Sequence, residues 1–369
     1  MNPRQRLATK GVRGLRPYEP GKPISELERE YGVRAAIKLA SNENPLGPGA
    51  HASEAAVAAL AELTRYPDGN GFALKHALSE RLQVLPEQLT LGNGSNDVLD
   101  LVARTFADRH REVIYSQHAF AVYAIVTQAV GATAVVTPAR DWGHDLVAMS
   151  NALSKHTSLI FIANPNNPTG TWVNAETLEG FIRSLPQDVI VVVDEAYFEY
   201  VEEPAYSDCA QWVERYPNLI VTRSFSKAHG LAALRVGYAV SSPDIAELLN
   251  RVRQPFNVNS VALAAAQAAL YDEEHVARSV QVNRQGMKQL VDAFERLGLD
   301  YIPSVGNFVA VDVGAPAAVV YEELLRHGVI VRPVANYGMP NHLRVTVGLE
   351  RENRRLITTL RKVLNRDAA

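Results

Sequence analysis

The sequence predicts an α/β protein: a mostly parallel central sheet flanked by helices, with a smaller α+β unit beside it. Three observations carry that expectation. From about residue 72 to 226, helical patterns alternate with short apolar runs, the layout of consecutive βαβ units. Several of these runs lack in/out alternation and are rich in Val and Ile, as in strands buried on both faces. Past residue 260 the pattern changes to a helix-rich stretch, then strand-like runs and a charged helix. The length, 369 residues, exceeds what one compact core usually holds, so two units are expected.

Taken in chain order, residues 1–25 read as an N-terminal arm. Five basic residues, Arg4, Arg6, Lys10, Arg13 and Arg16, precede its first acid, Glu19. No apolar core follows them, so no secretory signal is expected. The run suits an arm that docks on a partner or a solvated tail. Residues 26–45 are turn-rich and are assigned, together with 260–369, to the smaller unit. Residues 46–259 are assigned to the larger one, with strands expected at 89–91, 113–115, 133–136, 159–162, 189–193 and 219–222. A helix-rich stretch at 260–298 follows, then strands at 307–313, 329–332 and 343–347, and a charged helix from about 350.

Composition excludes several classes. With 47% hydrophobic and 21% charged residues the chain can bury a sizeable core. A net charge of -3 gives no nucleic-acid or membrane-surface signal. The longest small-apolar run, VALAAAQAAL at 261–270, is interrupted by Gln267 and reads as a packed helix rather than a membrane span. The single cysteine, Cys209, cannot close an internal disulfide, and no Cys/His cluster has zinc spacing. No metal is expected, and a reducing cytoplasm fits.

Ligands of open parallel sheets bind beyond the carboxyl ends of strands, so the residues after each apolar run matter most. The run at 89–91 leads into Gly92-Asn93-Gly94-Ser95-Asn96-Asp97 and a helix, which suits an anion at the helix start or an ordinary turn with a Ser cap. The run at 159–162 leads into Ala163-Asn164-Pro165-Asn166-Asn167-Pro168-Thr169-Gly170, a rigid polar loop or a tight turn. The run at 189–193 ends in Asp194-Glu195-Ala196-Tyr197. An acid there is costly to bury without a cation or donors, unless it caps a helix. The run at 219–222 leads to Ser224-Phe225-Ser226-Lys227, with Arg235 eight residues on; Lys227 is one of only eight lysines.

Jointly, these strand ends supply an anion-binding helix start, an amide, a carboxylate with a nearby phenol, and a lysine with an arginine. A ligand that uses all of them is a phosphate-bearing aromatic aldehyde with a basic ring nitrogen, pyridoxal phosphate. Lys227 would form the Schiff base and Asp194 would keep the ring nitrogen protonated. Tyr197 and Asn167 would meet the ring hydroxyl, and Ser95, Asn96, Ser224, Ser226 and Arg235 the phosphate.

These motifs, Asn-Pro-Thr-Gly at 167–170, Asp-Glu-Ala-Tyr at 194–197, Ser-Phe-Ser-Lys at 224–227 and Arg235, resemble the fold type I pyridoxal-phosphate-dependent aminotransferases over nearly the whole chain. Four stretches are most similar to the histidinol-phosphate aminotransferase branch: VRGLRPY at 12–18, LASNENP at 39–45, RYPDG at 65–69 and LRVTVG at 343–348. The resemblance implies a homodimer in which Tyr66 reaches the partner's cofactor phosphate. It implies that Arg344 binds the substrate's anionic group, with Arg332, Tyr18 and Asn42 in the substrate site. The aromatic that stacks on the cofactor ring falls at Phe120, where many members have tyrosine, so stacking is kept and a hydroxyl is lost. The implied reaction is transamination of L-histidinol phosphate with 2-oxoglutarate. An aromatic-amino-acid aminotransferase, a threonine-phosphate decarboxylase and a non-catalytic cofactor-sensing regulator are the alternatives. The last usually carries a DNA-binding module, and no basic recognition helix is seen here.

Overall fold

The computed structural model describes residues 3–365. The first two and last four positions of the expected arm and smaller unit therefore lie outside the described residues. At the centre is a seven-stranded sheet. Its order across is Leu89–Gly92, Gly237–Ser241, Leu219–Ser224, Ile190–Asp194, Thr157–Ala163, Glu112–Ser116 and Thr133–Thr137. Gly237–Ser241 is antiparallel to both neighbours, and every other pairing is parallel. The expectation of a mostly parallel sheet in an α/β fold holds. The reversed strand was not anticipated; it starts at the edge where its neighbours end, which brings Arg235 to that edge.

The Val- and Ile-rich runs form central strands because both faces are covered. Val191, Val193 and Val221 join one apolar cluster; Val192, Ile220 and Phe161 join another on the opposite face. Thr133–Thr137 departs from this pattern. It is an edge strand, and Thr133, Ala134 and Val136 are exposed.

A second, four-stranded sheet has the order Tyr301–Ile302, Phe308–Asp312, His342–Thr346, Arg332–Pro333, all antiparallel. Helices Glu273–Arg296, Ala317–Arg326 and Glu350–Val363 share its core. The single strand expected at 329–332 is two short ones. Val329–Ile330 pairs in parallel with Ile37–Lys38, and Arg332–Pro333 pairs with His342–Thr346. Leu27 and Ala40 pack on Leu325 and Ile330.

One expected boundary does not match the packing. By composition the helix Ser260–Leu270 belongs with the smaller unit. Its Ala262, Ala265, Ala266, Ala269 and Leu270 instead join the core of the seven-stranded sheet, against helices Ala50–Ala59 and Phe72–Leu82. Small side chains let that helix approach two others closely, and burial there outweighs the composition shift that suggested a break. We propose that the larger unit extends through Leu270.

Candidate active site

A cavity of about 250 Å³ opens at the carboxyl edge of the large sheet. Fourteen of the fifteen site residues expected from sequence line it: Tyr18, Asn42, Ser95, Asn96, Phe120, Asn167, Asp194, Tyr197, Ser224, Ser226, Lys227, Arg235, Arg332 and Arg344. The parallel strands end there together, which is why residues far apart in sequence meet.

At one end of the cavity an uncapped helix start meets an arginine. Helix Ser95–Phe106 begins after Gly94, and no side chain caps it, so the Ser-cap alternative does not hold. Gly94 has a φ of 79°, and a Cβ there would come within 2.5 Å of an Arg235 guanidinium nitrogen. A Cβ on Gly237 would come within 2.5 Å of the Ser95 nitrogen. Both glycines thus permit the close approach of Arg235 to a bare helix start. Arg235 itself sits at φ 56°, a left-handed conformation that a non-glycine residue adopts at a cost, and it donates to the Ser226 hydroxyl at 3.3 Å.

At the centre, the Lys227 ammonium donates to the Ser41 carbonyl at 3.2 Å and lies 5.5 Å from the centre of the Tyr197 ring. Desolvation, then the charges of Arg344 and Arg235, lower its pKa to about 7, against the opposing pull of Glu43 and Asp194. A lysine in that state supplies a neutral amine near neutral pH. Asp194 is buried and takes a hydrogen bond on each oxygen, from the Tyr123 hydroxyl and the Thr222 hydroxyl, both at 3.0 Å. Burial pushes its carboxyl up, while those donors and Lys227 pull it down. The Tyr197 hydroxyl accepts from the Asn42 amide at 2.8 Å, and burial raises its pKa.

The far wall carries two arginines. Arg332 and Arg344 face one another across an antiparallel ladder, and both are buried. Arg344 donates to the Asn167 side chain and, at 2.7 Å, to the Ala40 carbonyl; its Nε has no partner. Arg332 donates to the Glu19 carbonyl and lies 5.7 Å from the centre of the Tyr18 ring. Like charges directly opposite are unfavourable in a sheet. Among the described residues the acceptors seen for the two arginines are carbonyl and amide oxygens, so their charge is uncompensated by any carboxylate.

Tyr66 is the expected site residue that this chain does not bring to its own cavity. It is 81% exposed and stacks on Phe256 with centroids 4.8 Å apart. Sequence reasoning missed Tyr123, Thr222, Ser41 and Glu43. Tyr123 had a signal: it lies three residues after Phe120, one helical turn on. Thr222 had none, because its position opposite Asp194 is a matter of strand register.

A desolvated lysine, a buried carboxylate and an uncapped helix start beside an arginine share one cavity, the layout of a class of enzyme. A family model described as aminotransferase class I and II matches residues 34–360, and the chain belongs to that family. More particularly, it is 60% identical over 358 residues to a histidinol-phosphate aminotransferase of Nitrosococcus oceani, covering 97% of each chain. It is 60% identical over 362 residues to one of Pseudomonas fluorescens, covering 98% of each. A crystal structure of histidinol-phosphate aminotransferase from Sinorhizobium meliloti, in complex with pyridoxal 5'-phosphate, superposes with a TM-score of 0.90 at 28% identity, covering 98% of each chain. The fold type I architecture implied by the motifs is therefore the one present.

Proposed function

We propose that this protein transfers an amino group between L-histidinol phosphate and 2-oxoglutarate with pyridoxal phosphate as cofactor. In the biosynthetic direction it makes histidinol phosphate from imidazole-acetol phosphate and glutamate, a step of histidine biosynthesis. The observation that carries this reading is the pair Arg332 and Arg344, two buried cations with no carboxylate partner among the described residues, in the same cavity as a lysine of lowered pKa. Both substrates of the reaction present an anionic group, phosphate or carboxylate, that a guanidinium fork can hold.

When bound, pyridoxal phosphate supplies an aldehyde that takes up the amino group and a ring that accepts the electron pair left on the substrate carbon. The residues fit it. Arg235, Ser224, Ser226 and the helix start at Ser95 and Asn96 would hold the phosphate. Asp194 would face the ring nitrogen, Phe120 would stack on the ring, and Tyr197 and Asn167 would meet its hydroxyl. Lys227 is the covalent attachment point in this reading. Its neutral amine then moves the proton at the substrate carbon as general base and acid. Arg344, with Arg332, Tyr18 and Asn42, orients the substrate. The Arg344 Nε that lacks a partner leaves a donor for the substrate anion.

Tyr66 has a place in this reading only across an interface. Its exposure on Phe256, with Val57, Leu60, Leu63 and Phe72 also exposed, supports a homodimer in which it reaches the partner's cavity. We also place the protein in the cytoplasm, in keeping with its single free buried cysteine. No described helix is long and apolar enough to cross a membrane.

The test is a substrate panel on the purified, cofactor-loaded enzyme. L-histidinol phosphate should outpace phenylalanine, with 2-oxoglutarate as acceptor and glutamate as product. Preference for phenylalanine, or carbon dioxide release without a keto product, overturns the reading.

A further inference from the structure

We propose that Tyr123 and Thr222 are positioning residues that hold Asp194 as a carboxylate directed at the cofactor's ring nitrogen. This rests on the reading above for the cofactor, and not on which substrate is used.

The argument begins with what a buried aspartate needs. Asp194 is 5% exposed at the end of a central strand and lacks a cationic side chain within salt-bridge distance among the described residues. Such a carboxylate would ordinarily take a proton. Two neutral hydroxyl donors lead the opposition to that, ahead of the Ala196 backbone N–H and the charge of Lys227. Each contacts a different oxygen, Tyr123 on Oδ2 and Thr222 on Oδ1, both at 3.0 Å. Neutral hydroxyls favour the ionised form without cancelling its charge, so the charge stays available to a cationic ring nitrogen.

Both donors are committed to this role. Tyr123 and Thr222 are fully buried, and Asp194 is the partner of each side-chain hydroxyl. Neither hydroxyl would sit there cheaply without it. Both are also packed in place. The Tyr123 ring stacks on Phe161 at 4.7 Å and 2°, and Thr222 is the cross-strand partner of Asp194. Tyr123 lies edge-on to Phe120, with centroids 5.9 Å apart at 89°. One helical turn therefore carries both the expected stacking ring and the donor that keeps the carboxylate charged.

The experiment uses full-length enzyme loaded with pyridoxal phosphate, and its apoprotein. Tyr123→Phe, Thr222→Val and Thr222→Ser are compared with wild type in two readouts. One is the pH midpoint of the visible absorbance of the loaded enzyme; the other is the Kd for pyridoxal phosphate. With Asp194 more readily protonated, the ring nitrogen holds its proton less firmly and withdraws less from the lysine–cofactor bond. The midpoint should then move upward by about one pH unit in Tyr123→Phe and Thr222→Val. The Kd should rise roughly tenfold. Thr222→Ser, which keeps the hydroxyl, should stay near wild type. Midpoints and Kd values unchanged within about twofold would overturn the proposal. So would a Thr222→Ser variant as impaired as Thr222→Val, because the methyl would then be what matters. Tyr123→Phe keeps the stacked ring, and thermal melts of the apoproteins separate misfolding from a shifted carboxylate; if it misfolds, the Thr222 pair decides alone. A wild-type protein that never forms the chromophore would instead refute the cofactor reading itself.

Discussion

Asp194 and Glu195 are neighbours in sequence, both buried acids, and they have opposite fates. Asp194 lines the cavity and is held by two neutral hydroxyls. Glu195 lies against Arg223, which donates to its Oε2 at 3.0 and 2.7 Å and also reaches Asp208 at 2.6 Å. The Arg223 guanidinium lies 3.6 Å from the centre of the Phe198 ring. The Cys209 backbone N–H donates to the second Glu195 oxygen at 3.1 Å. Burial pushes both carboxyls up; at Glu195 the charge of Arg223 leads the opposition, whereas at Asp194 the Thr222 and Tyr123 hydroxyls lead it. The difference teaches that partner type sorts structure from chemistry. A charge neutralised within the protein ties strands together, and one merely solvated by dipoles is left for a ligand.

The comparison can be broken or sharpened in order of effect. The largest change is expected at the cation both acids lack a direct bond to: Lys227→Ala should slow the amino-donor half-reaction on the order of 10⁴-fold, measured by stopped-flow absorbance. Asp194→Asn should lower kcat by about 10²- to 10³-fold while leaving the urea midpoint nearly unchanged. Glu195→Gln should do the reverse, costing about 3 kcal/mol in urea unfolding because Arg223 loses a charged partner, with kcat close to wild type. If Asp194→Asn unfolds the protein and Glu195→Gln abolishes turnover, the division between the two acids is wrong.

Two further outcomes concern pH. Lys227 titrates near 7 in the folded protein, below its ordinary 10.5. Between those values the unfolded chain binds more protons than the folded one, so apoprotein stability should rise as pH climbs from about 7 toward 10.5. A Lys227→Met apoprotein should lack that climb in thermal melts across the same window. The smallest effect is expected from Glu43, which raises the Lys227 pKa. Glu43→Gln should move the acid limb of the pH–rate profile downward by about 0.3 unit.

Much of this site was legible in the sequence, because its chemistry sits at strand ends and strand ends follow apolar runs. Lys227, Asp194, Asn167 and the glycines before Ser95 could be named that way. Tyr123 had only its spacing from Phe120 to mark it, and Thr222 had nothing, because a strand threonine looks like core until its partner is known. Tyr66 was named from the resemblance alone, and a single chain leaves it exposed on Phe256. The helix at Ser260–Leu270 fits either unit by composition, and its packing in the core of the large sheet is what supports placing it in the larger one.

By itself the sequence determined the fold class, the parallel strands of the large sheet, and the side chains that carry charge and nucleophilicity; these follow from local patterns of apolar and polar residues. Only the tertiary structure decided which charges stay unpaired. It set Arg332 opposite Arg344, gave Asp194 hydroxyls where Glu195 received an arginine, and desolvated Lys227 among cations. The physical reason is that register and burial are sums over residues far apart in the chain, and the ionisation of a group depends on those sums.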